Sequence, residues 1–264
     1  MAVSRFYIFH QEECEMNRIY RKNEVTFAVI MILIYVLGTT AAESISAYIG
    51  IFKLVPAVFH VILTMILSIW VIKNGHTEKY GLVLPRYNIS KAWFFTPLAI
   101  IAFAGLFFGT KLQYGPSETV FFVVSMLCVG FLEELIFRGF LFAGMAKKNL
   151  RSAIIVSSVT FGIGHIVNLL NGKPLVETLA QILFAIMVGF TLVILFYKGK
   201  SLVPCIVFHS LNNALSAFGM TNEEAAGALH MSTEQFEMIY VIILIVILAV
   251  YSFAMSKKLE VPQE

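Results

Sequence analysis

The feature that most limits what this chain can fold into is a succession of apolar blocks, each about 20 residues long, separated by short polar connectors. Eight such blocks can be marked: Val25–Ile49, Phe52–Ile72, Ala92–Gly109, Thr119–Phe142, Ser152–Leu170, Val176–Tyr197, Leu202–Phe218 and Phe236–Met255. A helix rising about 1.5 Å per residue needs about 20 residues to cross about 30 Å of hydrocarbon, so each block matches one crossing. Helices are the economical choice, because lipid cannot satisfy exposed backbone amides. Turn-forming residues sit in the connectors, at Asn74-Gly75, Gly115-Pro116, Asn171-Gly172 and Lys198-Gly199-Lys200. Composition excludes a water-soluble alternative: 59% of residues are hydrophobic, 13% are charged, and the mean hydropathy is +0.84.

The expectation is therefore an all-α, polytopic transmembrane bundle of about eight spans. It divides into a cytoplasmic leader (1–24), one membrane domain (25–256) and a cytoplasmic tail (257–264), with no internal repeat and no separate soluble domain. The leader carries Arg18, Arg21 and Lys22 just before the first block, as a signal peptide would, and Ala41-Ala42 follows. It is long for a signal peptide and the apolar stretch runs on too far, which favours an uncleaved first helix. Cys14, Cys128 and Cys205 are widely spaced, form no CxxC pair and make no disulfide framework.

Orientation follows from the basic residues of the connectors. With the amino terminus in the cytoplasm, the inner side collects Arg5, Arg18, Arg21, Lys22, Lys73, Lys79, Arg86, Lys91, Lys147, Lys148, Arg151, Lys198, Lys200, Lys257 and Lys258. The outer side receives Lys53, Lys111 and Lys173 alone, and Arg138 falls inside a span. That asymmetry supports both the span count and cytoplasmic termini.

Ionisable residues in hydrocarbon cost about 2.5–3.5 kcal/mol each on insertion scales, so each asks for a reason. The fourth block contains Glu133, Glu134 and Arg138, the fifth His165, and the seventh His209, Asn212 and Asn213; Glu43 lies near the outer end of the first. Counting from the cytoplasmic edge puts Glu133, His165 and Asn213 all about 20 Å deep, with His209 one turn nearer the cytoplasm. Residues that meet at one site must share a depth. The pairs Glu134/Arg138, Phe161/His165 and His209/Asn213 are each spaced i, i+4 and share a face. Gly130, Gly139, Gly162 and Gly164 flank them, and small residues let helices approach closely in lipid.

A glutamate beside an imidazole in a low-dielectric pocket can hold a water and take its proton. A second imidazole and an amide can donate to a developing oxyanion. Two histidines and a glutamate (His165, His209, Glu133) could instead bind a divalent ion such as zinc, which would acidify the water. Neither route needs a serine or cysteine nucleophile, and the chain contains no HExxH or GxSxG. Hydrolysis of an amide by an activated water is the indicated reaction class, with the choice between metal and glutamate open.

Three motifs in order, EExxxR at Glu133–Arg138, FxxxH at Phe161–His165 and HxxxN at His209–Asn213, resemble those of the CPBP family. That family of intramembrane proteases includes type II CAAX prenyl proteases and bacteriocin-immunity proteins. The resemblance covers about residues 119–218. It implies a catalytic cavity between helices, open towards the cytoplasm. It further implies Glu133 as general base with His165 as its partner, His209 and Asn213 as the oxyanion site, and Glu134 and Arg138 in support. The implied activity is an intramembrane endopeptidase acting on a peptide or membrane-protein substrate. The competing reading is a non-catalytic immunity factor or scaffold that binds a bacteriocin or envelope protein. A proton-coupled transporter is disfavoured, since no repeated halves or paired broken helices are visible.

Bland explanations remain for the other polar residues: His60, Gln181 and Glu43 are read as structural. The lipid bilayer is the expected surrounding, and no nucleic-acid partner is indicated. Short loops and the lack of an organellar targeting segment point to a bacterial plasma membrane.

Overall fold

The computed structural model describes residues 15–84, 95–169 and 172–258. The leader to residue 14 (with Arg5, His10 and Cys14), the connector with Arg86 and Lys91, Ala92, Leu170, Asn171 and the tail from residue 259 lie outside the described residues. The described chain is helical apart from one isolated bridge, between Thr110 and Gly219.

Among the described residues, the helical residues 15–22 are followed by nine α-helices: α1 (Glu24–Ile49), α2 (Leu54–Lys73), α3 (Thr96–Phe103), α4 (Pro116–Glu133), α5 (Leu150–Ile163), α6 (Leu175–Gly199), α7 (Val203–Leu215), α8 (Asn222–Ala228) and α9 (Thr233–Lys258). A nine-residue π-helix, Glu134–Phe142, continues α4, and a short α-helical turn, Ala143–Ala146, completes that rod. Tight 3-10 segments extend α3 (Ala104–Phe108) and α5 (Gly164–Leu169).

Among the described residues six rods are long and apolar enough to cross a membrane: α1, α2, the rod Pro116–Ala146, Leu150–Leu169, α6 and α9. The third and seventh blocks also form helices, but shorter ones. α7 has 13 residues, which at about 1.5 Å each fall short of the hydrocarbon thickness. The protein is a multi-pass helical membrane protein. Its lipid-facing stripes remain visible as exposed Leu33 and Leu37 on α1, Ile62 and Ile69 on α2, and Val246 and Val250 on α9.

Local chemistry sets the ends. The Asn23 side chain accepts hydrogen bonds from the amides of Val25 and Thr26 at the start of α1. Asn149 caps α5 through the Ser152 amide, and Pro116 and Pro204 sit in first turns, where a missing N–H costs nothing.

The rod from α4 into the π-helix is the axis of the bundle. It packs against α2, α7, α1 and α5, and all nine π-helical residues are buried. At the lysine-rich end an aromatic cluster fills the interior. Phe27 stacks on Trp70 with centroids 4.8 Å apart, Tyr20 meets Trp70 edge-on at 5.1 Å, and Phe140 contacts Tyr80 at 4.9 Å. Glu24 joins the connectors there by accepting from Lys79 at 2.8 Å and Lys147 at 2.7 Å. The opposite end is tied by Lys53–Glu43, Lys111–Glu224 and Lys173–Glu177 pairs.

Candidate active site

Helix α4 delivers Glu133 on its last turn, and the π-helix begins one residue later with Glu134. α7 lies alongside. Gly130 makes this possible: a Cβ built there would stand 2.3 Å from Ser210 Oγ and 2.6 Å from the Ser210 amide nitrogen. With no side chain in the way, His209 reaches both glutamates. Its Nδ1 lies 2.8 Å from Glu134 Oε1, and its Nε2 lies 3.5 Å from Glu133 Oε2.

Glu134 is fully buried and serves two partners. Its Oε1 also accepts from Arg138 Nη1 at 3.0 Å, so one carboxylate oxygen bridges a guanidinium and an imidazole. Arg138 does not reach the headgroups. It is fully buried, with its guanidinium carbon 4.1 Å from the Phe161 ring centroid. Phe161 thus lies against Arg138, and its ring also meets His165 and His209 edge-on, both at 5.6 Å. Glu134 Oε2 and Arg138 Nε and Nη2 have no hydrogen-bond partner among the described residues. A network selected for stability alone would not leave buried polar atoms unmatched.

Glu133 differs from its neighbour. Its Oε1 accepts a 2.6 Å hydrogen bond from the Tyr35 hydroxyl, while its Oε2 makes no hydrogen bond among the described residues. The carboxyl borders a cavity of about 570 Å³. His165 and Asn213 border the same cavity, as do Tyr35, Phe161 and Gln181. His165 sits on the 3-10 segment after α5, its Nδ1 directed at the Phe161 carbonyl oxygen 3.3 Å away. Asn213 Oδ1 accepts from the Asn212 side chain at 3.4 Å. His209 stands behind this wall, nearly buried between the two carboxylates.

Of the six residues singled out from sequence, the structure brings Glu133, Glu134, Arg138 and His209 into one hydrogen-bonded or ion-paired cluster. His165 and Asn213 face the cavity beside it. Among the described residues no three His, Cys, Asp or Glu side chains converge in a way that could hold a metal ion. Glu133, His165 and His209, the trio available as ligands, do not form such a group. His60 is buried, with Ser125 Oγ 2.9 Å from its Nδ1 and Thr39 Oγ1 3.0 Å from its Nε2. Glu43 pairs with Lys53, and Gln181 accepts from Asn168 at 2.7 Å.

Tyr35 was not among the residues singled out. Its only sequence signal is position: it continues a buried stripe through Phe27 and Met31 on α1, which marks a core face and no more.

Fold and site together define a polytopic helical membrane protein with a carboxylate–imidazole cluster at the base of an internal cavity. The family model described as Type II CAAX prenyl endopeptidase Rce1-like matches residues 115–215, the stretch that carries every residue of the cluster except Tyr35. Over that stretch the chain is similar to the CAAX-type intramembrane endopeptidases. No curated protein and no solved structure matches it.

Proposed function

We propose that this protein hydrolyses a peptide bond of a peptide or membrane-protein segment, using a water activated by Glu133. The observation that carries the reading is the asymmetry of the Glu133 carboxyl. Tyr35 holds one oxygen of a carboxyl that borders the cavity, and the other is buried without a hydrogen-bond partner among the described residues, 3.5 Å from His209 Nε2.

In this reading the Glu133 carboxylate takes a proton from a water, whose oxygen attacks the substrate carbonyl carbon. His165 positions that water from across the cavity. As the carbonyl oxygen gains charge, the Asn213 amide donates to it from the cavity wall, while His209 stands behind Glu133 with Nε2 3.5 Å from its carboxylate. Glu134 pairs with His209 Nδ1 and so orients the ring, with Nε2 turned towards Glu133. Arg138 offsets the charge of Glu134. When the carbon–nitrogen bond breaks, the proton held by Glu133 passes to the leaving amine, and the carboxylate is regenerated.

The family description concerns prenylated CAAX substrates; the reading proposed for this chain requires only a peptide bond within reach of Glu133. Mapping new peptide termini in membranes from cells expressing the wild type or Glu133→Gln would test it. Cleavage sites present with the wild type should vanish in Glu133→Gln and in His209→Ala, with both variants still folded in detergent. Identical termini in all three would exclude catalysis at this site and favour a non-catalytic immunity factor or scaffold.

A further inference from the structure

A second cavity, of about 290 Å³, adjoins the one beside Glu133. Lys173, Gln181 and Ser216 border both, and two neighbours on α7 divide between them, Asn213 lining the cavity of Glu133 and Asn212 the second. The end of α7 is thus a shared wall. A polypeptide held at Glu133 can place a nearby side chain on the far side of it.

Two helix faces form the sides of the second cavity. α9 contributes Glu237, Tyr240 and Leu244, spaced i, i+3 and i+7, and α6 contributes Glu177, Gln181 and Phe184, spaced i, i+4 and i+7. The charges on these faces do not cancel. Glu177 is paired with Lys173 at 2.8 Å. Glu237 is only 7% exposed, and the one hydrogen bond to its carboxylate among the described residues comes from the Asn222 side-chain amide at 2.8 Å. No basic side chain among the described residues pairs with it. The α9 dipole does not compensate either, since Glu237 lies in the second turn and that effect falls off within the first. A carboxylate taken out of water without a cation is costly, and a purely structural tie to Asn222 would need no charge.

We infer that the second cavity is a substrate subsite that takes a lysine or arginine side chain lying near the cleaved bond, with Glu237 receiving the cation. The apolar stem of such a side chain fits against Phe184 and Leu244 while its charged head reaches the carboxylate. Its role as a substrate subsite rests on the hydrolytic reading above; the binding itself does not.

Binding can be measured without cleavage. Full-length Glu133→Gln protein in non-ionic detergent would be titrated into fluorescent alanine–leucine peptides carrying a single lysine moved along the chain, beside a matching norleucine series. At its best position lysine should bind about 10-fold or more tightly than norleucine, whose stem is the same but which lacks the ammonium. Adding Glu237→Gln keeps the hydrogen bond from Asn222 and removes the charge, and it should erase that preference. No lysine preference at any position, or a preference that survives Glu237→Gln, overturns the subsite. This result is independent of whether Glu133 catalyses. For the substrate, the termini lost in Glu133→Gln cells should carry lysine or arginine at a fixed distance from the cut, and cuts without that pattern would overturn that half alone.

Discussion

Replacing Gly130 with alanine offers the sharpest test of how packing holds the site together. A Cβ at this position would stand 2.6 Å from the Ser210 nitrogen and 2.7 Å from its Cα, where ordinary contact begins near 3.4 Å. The atoms it meets are helix backbone, so no rotamer change relieves the clash, and α4 and α7 must separate by about 0.8 Å, the 2.6 Å contact widened to 3.4 Å. Overpacking of this kind costs about 1–3 kcal/mol, and backbone contact belongs at the upper end. Against it stands a gain of up to about 1 kcal/mol for alanine over glycine within a helix. The clash wins by about 1–2 kcal/mol. The same displacement stretches the 2.8 Å Glu134–His209 contact to about 3.6 Å, beyond hydrogen-bond reach. Gly130→Ala should therefore lower the thermal midpoint in detergent and also suppress cleavage of whichever peptide the Glu133→Gln comparison identifies. Adding Ser210→Gly removes the hydroxyl but not the backbone contacts, so it should rescue only in part. A Gly130→Ala protein as stable and as active as the wild type would refute the close approach of α4 and α7.

Three other outcomes are expected. Tyr35→Phe removes one hydrogen bond to a charged oxygen, worth about 1.5–3 kcal/mol, and should slow cleavage by about 10- to 100-fold with the protein still folded; an unchanged rate would remove Tyr35 from the site. Glu134→Gln or Arg138→Met alone strands a buried charge and should destabilise by about 3–5 kcal/mol, whereas the pair Glu134→Leu with Arg138→Met should recover thermal stability and stay inactive. Exhaustive chelation should leave cleavage intact, and a loss restored by zinc would show that a metal, not Glu133 alone, activates the water.

The apolar helices were legible because lipid leaves the chain few options and apolar length alone marks a helix, although the third and seventh blocks form helices shorter than a crossing. The clustering of Glu133, Glu134, Arg138 and His209 was legible for a related reason, since a charge or imidazole within hydrocarbon has to find a partner. Arg138 illustrates the limit. Sequence places it inside a span on a face shared with Glu134, and only the packing of Phe161 over its guanidinium decides for full burial. The π-helix left no local signal either. Glu134–Phe142 reads as ordinary helix, and the wider turn comes with burial of all nine residues against surrounding helices. Tyr35 was hidden because a tyrosine on a buried stripe is ordinary. Its partner comes from a different helix, 98 residues away in sequence. The glycines divided in the same manner: Gly130 and Gly162 face helix backbone closely, while Gly164 has open space beside it.

The aromatic cluster at the basic end has a consequence for the cell as well as for the fold. Water that fills the cavity beside Glu133 shortens the hydrocarbon barrier, and the electrical potential drops across what remains. Moving one elementary charge through 100 mV is worth about 2.3 kcal/mol, and that field would be concentrated on the layer of Tyr20, Phe27, Trp70, Tyr80 and Phe140. Rings packed in this way would act as a dielectric dam, so that the cavity could hold water in the middle of a membrane without becoming an ion leak.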